Sequence, residues 1–310
     1  MKRFISKIFI LIIVLEIINL LYIRTNYWKS ENNVNKFDDV PYKIELGNLG
    51  SSHGACTFKY ETVPEVNAFN FALSAQPYYY DLQILKKYFD HFEKDGVVII
   101  LISYFNITRL PDYSKYASRY YRILPKSSIY NWSLYEYICF IVFPIFSAKL
   151  NLSRIICDIP KENMDPYYNN NSVMNEEQLN DYCIKLHKNW TSREGDKGKF
   201  GYDFNTSEIS NIIDFCYSHD LRPVLVTTPV TDVLNELFEN DKTFFPLFEQ
   251  FSSDLIKKYP GLIYLDYSRD EHFSKRHDFF VNGDHFNNSG AKEFTKTVIQ
   301  DLQEKGVIKK

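Results

Sequence analysis

Short apolar runs alternate with helical repeats of apolar residues in two parts of the chain. The runs of strand length cover residues 43–49, 68–73, 97–102, 223–228 and 262–266. The helical repeats cover residues 81–95, 209–216, 247–256 and 294–302, and Gly96 and Gly306 follow two of them. Continuous, β-branched runs such as 97–102 are typical of parallel strands with helices on both faces. The pattern predicts an α/β fold, a three-layer sandwich with a five-stranded, mainly parallel sheet of the flavodoxin-like kind.

This alternation stops in the middle of the chain, where residues 107–200 form an aromatic, Asn-rich insertion. Its segment Ile129–Leu150 is strongly apolar, but it contains Glu136 and Pro144, which argue against a second membrane span. We expect either a helix packed over the core or one that rests on the membrane surface. The insertion as a whole is either an aromatic platform that binds a ligand or plain core.

The N-terminus has the pattern of a membrane anchor. Residues 8–23 are apolar apart from Glu16 and Asn19, and with Phe4 and Ile5 they reach roughly the 20 residues that a spanning helix needs. Lys2, Arg3 and Lys7 precede the run and favour a cytoplasmic N-terminus. We predict a signal anchor over residues 1–29, a linker over 30–40 and an extracytoplasmic domain over 41–310, so a single-pass protein of the cell membrane. A cleaved signal peptide is the alternative.

Charge and cysteine content narrow the range of possible partners and binding sites. Residues 1–29 have a net charge of +4 and the whole chain −3, so the remainder carries −7, which argues against nucleic acid as a partner. The cysteines form no CxxC motif, so a structural zinc site is not expected. The sequence leaves open whether Cys157 and Cys183 form a disulfide bridge. We expect neither a metal nor a cofactor.

Two short motifs carry candidate chemistry. Gly50-Ser51-Ser52-His53-Gly54 follows the first strand, and Asn282-Gly283-Asp284-His285-Phe286-Asn287 precedes the last helix. Sites of parallel sheets gather at the carboxyl ends of the strands, so the two motifs can meet there.

A hydroxyl nucleophile needs a base, and the base needs a partner on its other ring nitrogen. Ser52 is the candidate nucleophile, with Ser51 as its rival and a helix N-cap as the structural alternative. His285 is the candidate base, oriented by Asp284 or by Asn282, while Asp278 lies farther away in sequence. We expect His53 to be a turn residue that faces solvent or the site.

With these motifs the chain resembles the SGNH hydrolase superfamily, and more closely its membrane-anchored cell-envelope branch, which includes proteins of teichoic-acid D-alanylation and polysaccharide O-acetylation. Gly50-Ser51-Ser52-His53 stands at the family's Gly-Asp-Ser block, so its nucleophile maps to Ser52. Residues 70–76 resemble the second block and map an oxyanion-hole N–H to Ala75. Residues 102–106 stand at the third block, where only Asn106 matches. The resemblance implies an oxyanion hole of Ser52, Ala75 and Asn106.

The chain departs from the family at two places. Asn282 stands where the family most often has its catalytic aspartate, and the third block has no glycine. The resemblance implies an extracytoplasmic serine acyltransferase or esterase that modifies a cell-envelope polysaccharide or teichoic-acid-like polymer through an acyl-enzyme on Ser52. A membrane-bound acyl donor protein would be its partner. The alternative is a catalytically degenerate, membrane-tethered factor that binds glycans or assists envelope assembly.

Overall fold

The structure, a computed structural model, describes residues 2–25, 28–29, 32, 34–104, 110–113, 117–147, 172–191, 196–242 and 244–309. The strands are β1 Ile44–Asn48, β2 Ala68–Asn70, β3 Phe92–Leu101, β4 Arg222–Thr227 and β5 Ile263–Asp266. The α-helices are α1 Lys2–Tyr22, α2 Ser52–Thr57, α3 Tyr78–Tyr88, α4 Ala117–Ile123, α5 Leu134–Tyr137, α6 Glu176–Thr191, α7 Asp196–Ser218, α8 Asp232–Asn240, α9 Phe244–Lys258, α10 Glu271–Ser274 and α11 Asn288–Glu304. Short 3₁₀ helices cover Asn35–Asp39, Tyr60–Thr62, Phe89–His91, Lys126–Ser128, Pro144–Ser147 and His277–Phe279, and a π-helix covers Ile138–Val142.

The five strands form one parallel sheet in the order β2-β1-β3-β4-β5. This is the flavodoxin-like order, in which the first strand lies inside the sheet and the chain then winds outward in both directions. β3 is central, and its Val98 pairs with Gly47 of β1 and with Pro223 of β4. The predicted α/β fold with a five-stranded parallel sheet is confirmed.

Side chains from alternate strand positions build the core on the two faces of the sheet. On one face Val97, Ile99 and Leu101 join a cluster that includes Phe294 and Val298 of α11. On the other, Val98 and Ile100 are completely buried. Helix α7 contacts β4 and buries the predicted face of Ile209, Ile212, Ile213 and Cys216.

Two predictions of local structure were wrong, and two helices were missed. The helix predicted over residues 81–95 ends at Tyr88, and β3 already begins at Phe92, whose ring packs against Gly47 where a Cβ would lie 2.7 Å away. The helical spacing of apolar residues therefore extends by chance into residues that form a strand. The apolar segment 129–150 is not one helix. The π-helix ends at Val142 and a separate 3₁₀ helix begins at Pro144, because proline cannot continue the preceding helix. Helices α6 and α8 were not predicted.

The chain divides into two compact units. Residues Met1–Asp39 and Tyr113–Pro166 form one, and residues Val40–Asp112 and Tyr167–Lys310, with the whole sheet, form the other. Residues of the predicted insertion 107–200 occur in both units, and the domain boundaries given above stay a prediction.

Helix α1 meets the length and composition required of a membrane span. Its segment Arg3–Tyr22 has 20 residues and a mean hydropathy of 2.5, and only 6% of its most apolar window is buried within the protein. An apolar helix without a protein cover is consistent with a single-pass anchor.

Candidate active site

The first motif forms a sharp turn between β1 and α2. Gly50 has φ +125°, a conformation that residues with a Cβ rarely adopt, and a Cβ there would lie 3.1 Å from the Leu101 side chain. Ser51 is the N-cap residue of α2, although its side chain makes no capping hydrogen bond. Ser52 is the first helical residue, so the N-cap position falls on the rival serine.

Ser52 and His285 meet in the folded chain, although they are 233 positions apart. The Oγ of Ser52 lies 2.9 Å from Nε2 of His285, within hydrogen-bond length. Because Nδ1 of the same ring faces a carboxylate, the arrangement assigns the proton to Nδ1 and leaves Nε2 to accept from the serine hydroxyl. This is the geometry that proton transfer from a nucleophilic serine requires.

Asp284 is the carboxylate at Nδ1 of His285. Its Oδ1 lies 3.0 Å from Nδ1, whereas Oδ1 of Asn282 lies 3.3 Å from the same nitrogen. Neighbouring side chains can face each other here because the turn is tight. Oδ1 of Asn282 accepts the backbone N–H groups of Asp284 (3.1 Å) and His285 (2.9 Å), and Val281 N–H donates to the His285 carbonyl. Asn282 therefore shapes the turn, and Asp284 takes the position beside the imidazole.

Two further side chains hold Asp284. The hydroxyl of Tyr182 in α6 donates to Oδ1 at 2.8 Å, and Nε2 of His53 lies 3.1 Å from Oδ2. The carboxylate is almost fully buried. Sequence reasoning missed Tyr182 altogether, and it placed His53 only as a turn residue facing solvent or the site. His53 is in fact buried, and its ring stacks on that of His285 with centroids 4.6 Å apart.

The charges of this group are set by burial and by mutual contact. Burial opposes ionisation of Asp284, but the facing His285 and His53 outweigh it and lower its pKa. Burial likewise opposes protonation of His285, but Asp284 outweighs it and raises the pKa of this ring above the usual 6.5. For His53 burial prevails, and its pKa is lowered in spite of the hydrogen bond to Asp284. Asp284 is therefore ionised, His285 is more basic than an ordinary imidazole, and His53 is neutral.

Close packing holds the His285 turn against α6 and the segment before α8. A Cβ on Gly283 would lie 2.5 Å from Sγ of Cys183. Thr231 donates both its N–H and its hydroxyl to the Gly283 carbonyl, at 3.0 and 3.2 Å. Cys183 is a buried free thiol, and Cys157, with which the sequence left a bridge open, lies outside the described residues.

Asparagines at the ends of β1 and β2 hold α2 in place. Nδ2 of Asn48 donates to Oδ1 of Asn70 at 3.1 Å, and Nδ2 of Asn70 donates to the carbonyls of Gly54 (3.0 Å) and Phe58 (3.2 Å). A Cβ on Gly54 would lie 2.7 Å from Leu101. The helix that carries Ser52 is thus fixed directly to the carboxyl edge of the sheet.

The loop with Ala75, the second oxyanion candidate, is joined to the serine turn. Ala75 has φ +52°, and the nearby N–H of Leu73 donates to the Gly50 carbonyl at 3.2 Å. The buried carboxylate Oδ1 of Asp81 accepts from Gly50 N–H (2.8 Å) and from Nε2 of Gln76 (2.6 Å). Burial raises the pKa of Asp81 to about 7. The direction of the Ala75 N–H stays a prediction, and Asn106 lies outside the described residues.

His53, Asp284 and His285 are also residue types that bind metals, and their ligand atoms lie within 4.8 Å of one another. Those atoms already hydrogen bond within the group and to Ser52, and these contacts have the arrangement of a proton-transfer chain. Asp278 takes no part, because it pairs with Arg276 at the surface.

No protein-family model matches the chain, and no curated protein does. Several solved structures are similar to it. A protein assigned as an acylhydrolase from Bacteroides fragilis has 8% identity and a TM-score of 0.43, and the match covers 89% of this chain and 96% of that one. A GDSL-like lipase from Bacteroides thetaiotaomicron has 8% identity and a TM-score of 0.41, with 90% and 97% covered. A protein described as a platelet activating factor from Streptococcus pneumoniae has 10% identity and a TM-score of 0.40, with 94% and 98% covered.

At such identities and TM-scores the likeness says nothing about substrate or activity, and the cell-envelope branch stays a prediction. What the chain itself has is the sheet order, a serine directly after the first strand and a histidine directly before the last helix. These features agree with what the resemblance of its motifs to the SGNH hydrolase superfamily leads us to expect, and membership of that superfamily stays a prediction.

Proposed function

We propose that the protein is a serine esterase or acyltransferase that acts outside the cytoplasm on a cell-envelope polysaccharide or teichoic-acid-like polymer. The observation that carries the proposal is the chain of contacts from Ser52 Oγ to His285 Nε2 (2.9 Å) and from His285 Nδ1 to Asp284 Oδ1 (3.0 Å). A serine hydroxyl, an imidazole and a buried carboxylate in this order are the parts of an acyl-transfer site.

In the proposed reaction Ser52 Oγ attacks the carbonyl carbon of an acyl ester while its proton passes to Nε2 of His285. Asp284 stabilises the imidazolium that forms. The backbone N–H groups of Ser52 and Ala75, with Asn106, would hold the tetrahedral oxyanion, and losing one such donor lowers the rate about 10²–10³-fold. The bond to the leaving alcohol then breaks, and His285 returns the proton to it. Attack by water or a sugar hydroxyl releases the acyl group from Ser52.

The polymer substrate and the extracytoplasmic location belong to the same proposal. They rest on the predicted anchor and on the resemblance to the cell-envelope branch. An anchored enzyme stays near lipid-linked glycans and near any membrane protein that delivers an acyl group, so transfer to a sugar hydroxyl is favoured over hydrolysis.

A fluorophosphonate probe tests the nucleophile. The full-length protein in detergent should be labelled, the Ser52→Ala variant should not, and the matched Ser51→Ala variant should be labelled like the wild type. Hydrolysis of p-nitrophenyl acetate should follow the same pattern, with circular dichroism showing that each variant is folded. Undiminished labelling of folded Ser52→Ala would refute the assignment.

The alternative, a degenerate glycan-binding or envelope-assembly factor, was suggested by Asn282 at the place of the family's aspartate. Asp284 beside His285 supports the enzyme better than this alternative. The experiment separates them, because a folded wild-type protein that binds envelope glycan but takes up no probe and hydrolyses no ester would favour the binding factor.

A further inference from the structure

The segment Leu134–Ser147 exposes an unusual number of large apolar side chains. It runs through α5, the π-helix Ile138–Val142 and the 3₁₀ helix Pro144–Ser147, while its inner side buries Cys139 and Ile145. Six of its apolar side chains are 38–76% exposed, and we name them the apolar rim: Leu134, Tyr135, Tyr137, Ile138, Val142 and Phe146. Contiguous exposed apolar side chains mark a surface that binds another apolar surface.

The segment with the apolar rim contacts the last turn of α1, which belongs to the same compact unit. The backbone N–H of Ile145 donates to Oδ1 of Asn19 at 3.1 Å. Ile145 also forms a buried cluster with Tyr22 and Trp28. Asn19 is one of the two polar interruptions of the apolar N-terminal run, so this hydrogen bond satisfies a polar side chain within the candidate span.

These contacts fix the position of the segment along the axis of α1. Asn19 lies three residues before the end of α1 at Tyr22, which is about 4.5 Å along the helix axis. The 21 residues of α1 match the thickness of the hydrocarbon core of a bilayer, roughly 30 Å. If α1 spans the bilayer, Ile145 lies at the edge of the hydrocarbon.

We propose that the apolar rim inserts into the outer boundary of the same bilayer that α1 spans. Both α1 and the apolar rim would then hold the protein in the membrane, the rim at the interface where α1 leaves the bilayer. Interfacial segments of this kind bury their apolar side chains about 5–10 Å deep between headgroups and acyl chains.

The backbone and the flanking side chains suit that environment. The N–H of Phe143 donates to the Ile138 carbonyl, that of Phe146 to the Phe143 carbonyl and that of Ile145 to Asn19, so this irregular stretch satisfies these donors internally. Beside it, Arg122 lies over the Trp28 ring at 4.6 Å and Lys126 over the Trp132 ring at 4.0 Å. Tryptophan and basic side chains are the pair expected at the level of lipid headgroups.

Lipid fits the rim better than a protein partner, because the rim continues a surface that already requires lipid. Thirteen large apolar side chains between Phe4 and Leu21 on α1 are at least 40% exposed. A bilayer around α1 would reach the rim without any further component.

Depth-dependent quenching tests the proposal on the full-length chain in nanodiscs. An NBD fluorophore is placed on cysteine in Val142→Cys and in Phe146→Cys, in a Cys157→Ser background whose described cysteines are buried. Leu20→Cys, in the exposed face of α1, is the control inside the membrane, and Tyr217→Cys, half exposed on α7 in the other unit, is the control in water. Each sample is measured in ordinary lipid and in lipid brominated near the headgroup.

At positions 142 and 146 we expect blue-shifted emission and about twofold quenching by the brominated lipid, as at position 20 and unlike position 217. Water-like emission at both rim positions would overturn the proposal. Blue-shifted emission without quenching would also overturn it, because a protein surface such as a second copy would then cover the rim. Neither readout depends on the proposed enzymatic activity, so the two proposals can fail separately.

Discussion

Asp284 receives hydrogen bonds from two imidazoles and a phenol, and its own backbone N–H is held by Asn282. A buried carboxylate with three side-chain donors is fixed in position and stays ionised. Such a group can orient His285 without moving during the reaction. At the scale of single residues, therefore, we predict that Asp284 orients His285, the role that the resemblance gives to an aspartate three positions before the histidine.

The variant Asp284→Asn should lower kcat by about 10³–10⁴-fold, because an amide neither holds the reactive tautomer nor stabilises the imidazolium. The measurement is hydrolysis of p-nitrophenyl acetate by the purified full-length protein. Asp278→Asn is the matched control, since Asp278 pairs with Arg276 at the surface, and it should keep wild-type activity. A smaller loss in Asp284→Asn than in Asn282→Ala would show that the amide, not the carboxylate, orients His285.

We expect the pH dependence of the activity to follow the protonation of the candidate base, His285. His285 must be neutral to accept the serine proton, and Asp284 raises the pKa of its ring above 6.5. We therefore expect kcat/KM to rise with pH through a value above 6.5. In Asp284→Asn the midpoint should move to lower pH, because the negative charge that stabilised the protonated ring is gone. An unchanged midpoint in that variant would mean that a group other than His285 controls the profile.

The elements around the site meet at contacts that tolerate little change. Helix α6 reaches the His285 turn at Gly283, where a Cβ would lie 2.5 Å from Sγ of Cys183, and the same helix supplies Tyr182. The fit between this helix and this turn therefore sets how closely the phenol approaches Asp284.

Gly283→Ala should push α6 away from the turn, destabilise the protein by about 1–3 kcal/mol and lower kcat. Adding Cys183→Ala removes the sulfur that the new methyl group meets. The double variant should recover most of the lost stability in thermal unfolding, since residues in direct contact are energetically coupled. Stability losses that simply add would show that the two positions do not interact.

At the scale of the whole molecule, the predicted anchor would determine where any activity takes place. Lys2, Arg3 and Lys7 lie in the first two turns of α1, before its apolar run 8–23. Basic residues on one side of a first span keep that side in the cytoplasm, and we expect the sheet domain on the opposite side.

Protease added to intact protoplasts should digest a C-terminal tag and spare an N-terminal one. Permeabilised protoplasts, in which both tags are digested, are the control. Protection of the C-terminal tag in intact protoplasts would place the domain in the cytoplasm and remove the envelope polymer as a substrate.

Local sequence patterns were enough to predict the α/β class, the central strand β3, the apolar helix α1 and the two motifs that meet in the site. These features depend on local hydrophobic periodicity or on residues directly beside strand ends, which one chain segment displays alone. The strand start at Phe92, whose ring packs against Gly47, and the helix α6, which packs against Gly283 and α8, depend on contacts between distant segments.

Only the folded chain shows that Asp284 lies nearer than Asn282 to Nδ1 of His285, and that Tyr182 and Nε2 of His53 contact Asp284. Tyr182 lies 102 positions from Asp284, and His53 lies 231 positions from it. A hydrogen bond across such a separation leaves no periodic pattern, because it exists only after the sheet has brought the segments together. The turn that brings Asp284 to His285 is held by Oδ1 of Asn282, and it lies between Phe280 and Phe286, which pair as an antiparallel bridge.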